Sequence, residues 1–166
     1  MKKPSHITDR WCRVALVLAM LTPVTMVAQK SHTRQPMAVG VTYNYATEYH
    51  QHGIGAKLQL GIDSHWRIEP EMIYFAQSRD VTTLQLNVNV HYVQHVAGPL
   101  ALYPFVGMTY SHWGYDGPNV NRWGANLGAG LELSLGRRWV ALGEARFMLV
   151  KQETQAITTL GIKHLF

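Results

Sequence analysis

The side chains of this 166-residue sequence that could carry chemistry are nine histidines, a Ser111-His112 pair and a set of acidic and basic residues spread from Glu48 to Lys163. Ser111-His112 raises the possibility of a hydrolytic dyad with a nearby acid. Neighbours in an extended strand point to opposite faces, so the two cannot share triad geometry on one strand. His50, His52 and His112 could meet at one rim as metal ligands, but no zinc-like spacing joins them, and solvated rim histidines are the simpler reading. Gly128-x-Gly130 has no helix after it and reads as a packing feature, not a phosphate loop. No catalytic residue, metal or cofactor is expected. What remains is Glu48, Lys57, Arg67, Glu69, Glu71, Glu132, Glu144, Arg146 and Lys163, four cations and five carboxylates whose natural chemistry is with one another.

These residues sit in a chain that alternates almost without interruption from Met37 onward. One parity holds Met37, Val39, Val41, Tyr43 and Tyr45, then Ile54, Ala56, Leu58 and Leu60, then Trp66, Ile68, Pro70, Met72 and Tyr74. Leu84 to Tyr92, Trp123 to Leu135, Trp139 to Leu149 and Ala156 to His164 repeat the pattern. The opposite parity carries all nine charged residues. Leu100 to His112 is the least clearly phased stretch, and Leu102, Val106 and Met108 are assigned outward. Turn formers separate the runs at 50–53, Asp63-Ser64-His65, Ser78-Arg79-Asp80, Gly98-Pro99, Gly114 to Asn121 and Gly136-Arg137-Arg138. Eight strands of roughly nine to fourteen residues result, close to the length of a tilted membrane-crossing strand. The expected architecture is an all-β, eight-stranded antiparallel up-and-down transmembrane β-barrel.

Alternation alone does not say which face is inside. The apolar parity carries no Lys, Arg, Asp or Glu on any of the eight strands, the polar parity is rich in small residues suited to a narrow lumen, and aromatics gather at strand ends. Trp66, Tyr92, Trp139 and Phe166 form one expected girdle; Tyr45, Tyr49, Tyr74, Tyr110, Trp113 and Trp123 form the other. A soluble lipocalin-like barrel would instead be lined by its apolar set. The charged cluster is therefore expected in the lumen, with a structural role, in a barrel that side chains fill.

The first 28 residues have a basic start, an apolar stretch from Val14 and small residues near Ala28, the pattern of a cleaved secretory signal peptide. A retained anchor is the alternative, disfavoured by the shortness of the apolar run. Lys2, Lys3, Arg10 and Arg13 against Asp9 account for three of the five net positive charges, so the remainder offers no basic nucleic-acid surface. Cys12 precedes the apolar run, and the exported chain would have no thiol for a disulfide or for catalysis. The expected organisation is 1–28 signal peptide, 29–36 short periplasmic tail and 37–166 outer-membrane β-barrel. An even strand number would put both barrel ends on the periplasmic side.

Glu69-Pro70-Glu71-Met72-Ile73-Tyr74, the Leu84 to Tyr92 strand, Tyr103-Pro104-Phe105-Val106-Gly107, and Gly124 to Glu132 followed by Glu144 and Phe166 together resemble the small outer-membrane β-barrel domain proteins of the Bacteroidetes type, similar in architecture to OmpA/OmpX-type barrels. The resemblance spans about Met37 to Phe166. It implies residence in the outer membrane of a Gram-negative bacterium, contact with outer-membrane lipid, and recognition of the closing strand and Phe166 by the barrel assembly machinery. The expected function is non-enzymatic: envelope structure, which short loops favour, or a small surface-interaction module. The alternatives are an accessory barrel of a secretion or assembly complex and a lipid-modifying outer-membrane enzyme.

Overall fold

A computed structural model describes residues 36–78, 81–114, 120–150 and 153–166. The signal-peptide and most of the tail assignments, the Arg79-Asp80 turn and residues 115–119 of the long loop lie outside the described residues. Nine strand segments follow in chain order: β1 (Ala38–Ala46), β2 (Gln51–Gly61), β3 (Trp66–Ser78), β4 (Val81–Tyr92), β5 (Gln94–Ala97), β6 (Leu100–Gly114), β7 (Val120–Ser134), β8 (Trp139–Val150) and β9 (Glu153–Leu165). Each pairs antiparallel with its sequence neighbour, apart from the break between β4 and β5; β1 pairs with β9, and β4 pairs with β6. The ring has no free edge.

The ninth segment does not add a stave. β5 continues β4 in an unchanged register against β6, from His91↔Phe105 to Gln94↔Leu102, so the closed barrel has eight staves. The interruption falls opposite Pro104, which has no N–H to give the ladder. Pro70 on β3 has the same effect on β2, where pairing skips from Lys57↔Glu71 to Leu60↔Ile68. At the break, the Val93 N–H instead donates to the His65 carbonyl at 2.7 Å.

The period-two pattern sorts the described side chains of the staves. Lys57, Arg67, Glu69, Glu71, Glu132, Glu144, Arg146 and Lys163 are buried, while Ile54, Val106, Met108, Leu127 and Leu160 stand more than half exposed on the outside. On β6, Leu102, Val106 and Met108 face out and Tyr103 and Phe105 face in. A barrel with a polar interior and a continuous apolar exterior buries its apolar surface only in hydrocarbon. No helix among the described residues is long and apolar enough to cross a membrane.

Two features of β6 and β7 explain how bulky rings fit inside. Tyr103 pairs with Gly130 and Phe105 with Gly128 across the two strands. A Cβ on Gly128 would lie 2.5 Å from Phe105 Cζ, and one on Gly130 would lie 2.5 Å from Tyr103 Oη. Each ring therefore fills the space over a glycine on the adjacent stave, and any side chain there would evict it.

Candidate functional site: the lumen charge network

The termini and the β2–β3, β5–β6 and β7–β8 turns share one rim, called here the terminal rim; the other turns form the distal rim. The terminal half of the lumen is ionic. Lys57 Nζ donates to Glu69 Oε1 at 2.9 Å and across the lumen to Glu144 Oε1 at 2.8 Å, with Glu71 Oε1 at 3.6 Å. Arg146 Nη1 donates to Glu71 Oε2 at 2.6 Å, so β3 and β8 are joined across the lumen. Nearer the terminal rim, Glu132 accepts from both Arg67 and Lys163, the latter at 2.5 Å.

Neutral side chains complete the network. Gln59 Oε1 accepts from Arg67 Nη1 at 3.1 Å and from Lys163 Nζ at 2.5 Å. Arg67 also reaches His91 Nδ1 and lies 4.5 Å above the Tyr103 ring, while Tyr103 donates its hydroxyl to Glu144 at 2.8 Å. The His91 ring is stacked against Tyr103 and Phe105, with centroids 4.9 Å away in each case. Asn87 donates to Glu71, and Asn126 donates to Asn87 and Asn89. The arrangement can hold charge rigidly. It offers no nucleophile beside a base.

The distal half is different. Ala46, Ile73, Phe75, Met148, Val150 and Ile157 form an apolar cluster inside the staves, with Gln85, Thr109 and Ser111 pointing hydrogen-bond donors at the Met148 sulfur. Above it Tyr49 meets Trp113 edge-on at 5.5 Å, and Arg122 lies 4.9 Å over the Trp113 ring.

Three expectations from the sequence need correction. Glu48 is not in the lumen: β1 ends at Ala46, and Glu48 is exposed in the turn that follows, so strand parity no longer applies to it. Without it the buried set is four cations against four carboxylates. Trp113 is not in the outer girdle; unbroken alternation along β6 from Leu102 places residue 113 inward, where it is 3% exposed. Tyr49 goes with it, leaving strand β1 to pack on Trp113 over the mouth. Ser111 is buried in the lumen, whereas His112 bonds Asn121 Oδ1 at 2.6 Å on the exposed side. His50 and His52 pair with Tyr45 and Tyr43, and no group of metal-ligating side chains occurs among the described residues. Phe166 is exposed at the terminal rim, its N–H donating to the Met37 carbonyl at 2.9 Å.

Sequence reasoning did not include Gln59, His91 and Tyr103 in the network. Their signal was present: all three have lumen parity, and Tyr103 and Phe105 share the two-residue spacing of Gly130 and Gly128 on the next strand.

Fold and site together define a membrane-spanning β-barrel with a charged interior. The family described as outer membrane protein beta-barrel domain matches residues 14–162, and the chain belongs to it. That family places it among the outer-membrane proteins of Gram-negative bacteria. Among solved structures, the N-terminal β-barrel domain of Pseudomonas aeruginosa OprF is similar with a TM-score of 0.67 at 15% identity, over 81% of this chain and 100% of that one. Ail, the attachment invasion locus protein of Yersinia pestis, has a TM-score of 0.57 at 12% identity, over 82% and 100%. The outer membrane enzyme PagL has 0.55 at 12%, over 78% and 99%. At these identities the likeness is one of fold. No match was found among curated protein sequences.

Proposed function

We propose that this chain is an integral outer-membrane barrel whose lumen is closed by its own side chains, serving as a non-enzymatic structural element of the envelope. The observation that carries this reading is the buried network of four cations and four carboxylates, tied stave to stave across the lumen through Lys57–Glu144 and Arg146–Glu71. An eight-stranded barrel is narrow enough for side chains to fill, and charges held in mutual contact do not offer a path to a hydrated ion without a large desolvation cost. Purified protein in planar bilayers should give no steady current. Reproducible unitary conductance would overturn the closed-lumen reading.

The non-enzymatic part is supported by the geometry at Ser111-His112, where Ser111 donates to the Met148 sulfur inside while His112 faces outward. Lipid A from a deletion strain should be unchanged; an altered acylation pattern restored by the gene would reverse this conclusion. With the terminal rim in the periplasm, β9 and Phe166 are the segment the barrel assembly machinery would read. Deleting Phe166 should then leave the protein periplasmic, and normal yield of heat-modifiable protein in the outer membrane would reject that role.

A further inference from the structure

The β7–β8 turn carries two arginines on a backbone held from both sides. The Leu135 N–H donates to the Trp139 carbonyl at 2.8 Å, and the Arg138 carbonyl accepts from the Leu165 N–H at 2.7 Å. Gly136, at φ 145°, takes a conformation that other residues rarely adopt. Arg137 and Arg138 are exposed and have no ion pair among the described residues. Beside them His164 lies edge-on to Trp139 at 4.9 Å and to Phe166 at 5.2 Å, a shelf of rings on the outward face. The exposed side-chain carboxylate at this rim among the described residues, Asp63, is diametrically opposite in the ring, on the β2–β3 turn, and is held by the backbone N–H groups of His65 and Trp66 at 2.7 and 2.8 Å. Those two donors lower its pKa below the usual carboxylate value.

A second observation lies on the same staves. Farther from the rim, the outward face of β7, β8 and β9 is indented by an apolar groove of about 490 Å³ between Leu131 and Leu160, floored by Gly143 and Ala145. A Cβ at Gly143 would meet Leu160 at 3.7 Å and Leu131 at 3.9 Å, ordinary contact distances. The fold does not need a glycine there, yet glycine costs a strand stability. Its consequence is the groove. Trp139 and Gly143 are four positions apart on β8, about 13 Å at strand rise, well within the reach of one acyl chain below a headgroup.

We propose that the outward face of β7–β9 binds one anionic glycerophospholipid, its phosphate on the Arg137 and Arg138 guanidiniums and an acyl chain in the Gly143 groove. Guanidinium forks suit phosphate oxygens, and the aromatic shelf sits at headgroup depth. Among the described residues of the distal rim, outward side chains pair as Tyr43–His52, Tyr45–His50 and His112–Asn121, and no lysine or arginine stands among these. The proposal rests on the outer-membrane reading, with the terminal rim at the glycerophospholipid leaflet.

The test is native mass spectrometry of the full chain released from bilayers of equimolar phosphatidylglycerol and phosphatidylcholine. Because both leaflets have the same composition, the result does not depend on which rim faces the periplasm; surface labelling of cells tests that separately. Retained lipid should be enriched in phosphatidylglycerol by up to about thirtyfold, the scale expected of two basic residues near an anionic surface. Arg137→Gln/Arg138→Gln should return the ratio to that of the mixture, while Asp63→Asn should leave it enriched. Gly143→Leu should lower retention of both lipids and keep the preference, with Gly143→Ala intermediate, heat-modifiable gel mobility reporting folding in every case. Equal retention of the two lipids, or undiminished enrichment in the double variant, overturns the proposal. So does displacement by 10 mM inorganic phosphate, which would identify a free-anion site, or a dimer mass abolished by Gly143→Leu, which would assign the groove to a second copy.

Discussion

The two halves of the lumen solve the same space-filling problem with opposite chemistry. The terminal half is held by carboxylates shared between cations on different staves, with Glu132 alone serving both Arg67 and Lys163. The distal half is held by the volume of Phe75, Ile73, Met148 and Ile157. Charge should therefore be irreplaceable in the first and shape in the second. The difference is physical: an ion pair that loses one member leaves an uncompensated charge in a low-dielectric site, whereas a truncated apolar side chain leaves only a cavity.

The most damaging single change should be Glu132→Ala, because it strands two buried cations; the loss should reach the upper end of the about 3–5 kcal/mol typical of one broken buried pair. Urea unfolding in lipid vesicles, followed by gel mobility, measures it. Glu132→Gln, which keeps the shape, should recover little, and full recovery would erase the distinction between the halves. Phe75→Ala should cost about 3–4 kcal/mol, within the range for truncating a buried aromatic. Here Phe75→Leu should recover most of the loss, in the same unfolding experiment.

Tyr103 bridges the two kinds of packing, its ring over Gly130 and its hydroxyl on Glu144. Tyr103→Phe should cost about 1.5–3 kcal/mol, the scale of a hydrogen bond to a charged group, and Tyr103→Phe in a Glu144→Gln background should cost less. Additive losses in that double-mutant cycle would show the hydroxyl contact to be passive. Ile157→Val in the distal cluster should have the smallest effect, about 0.5–1.5 kcal/mol, and an effect as large as that of Glu132→Ala would break the comparison from the other side.

The barrel was legible because its signal is local and repeated. Each strand states its two faces within a few residues, and an outer face without charged side chains repeats the statement from strand to strand, so even the weakly phased Leu102, Val106 and Met108 follow their neighbours. The errors fell where that local rule ends. Glu48 and Tyr49 lie just past the last residue of β1, in the Thr47–His50 turn where His50 has a φ of 50°, and a residue past the ladder has no parity. Trp113 was misplaced by weighing its type, aromatic near a strand end, above its position in an unbroken alternation.

Alternation, the uncharged outer parity and the confinement of charge to the other parity determined a membrane barrel with an ionic interior from the sequence by itself. Which charge meets which was decided only in the closed structure. Lys57 and Glu144 are 87 positions apart, and Arg146 and Glu71 are 75 apart. Their contact depends on the register of every intervening stave and on β1 meeting β9, because strand order and shear set the heights at which side chains face each other across a lumen. The same closure laid Tyr103 and Phe105 over glycines of the next stave and drew Gln59, His91 and Tyr103 into a network whose members no local pattern could have matched.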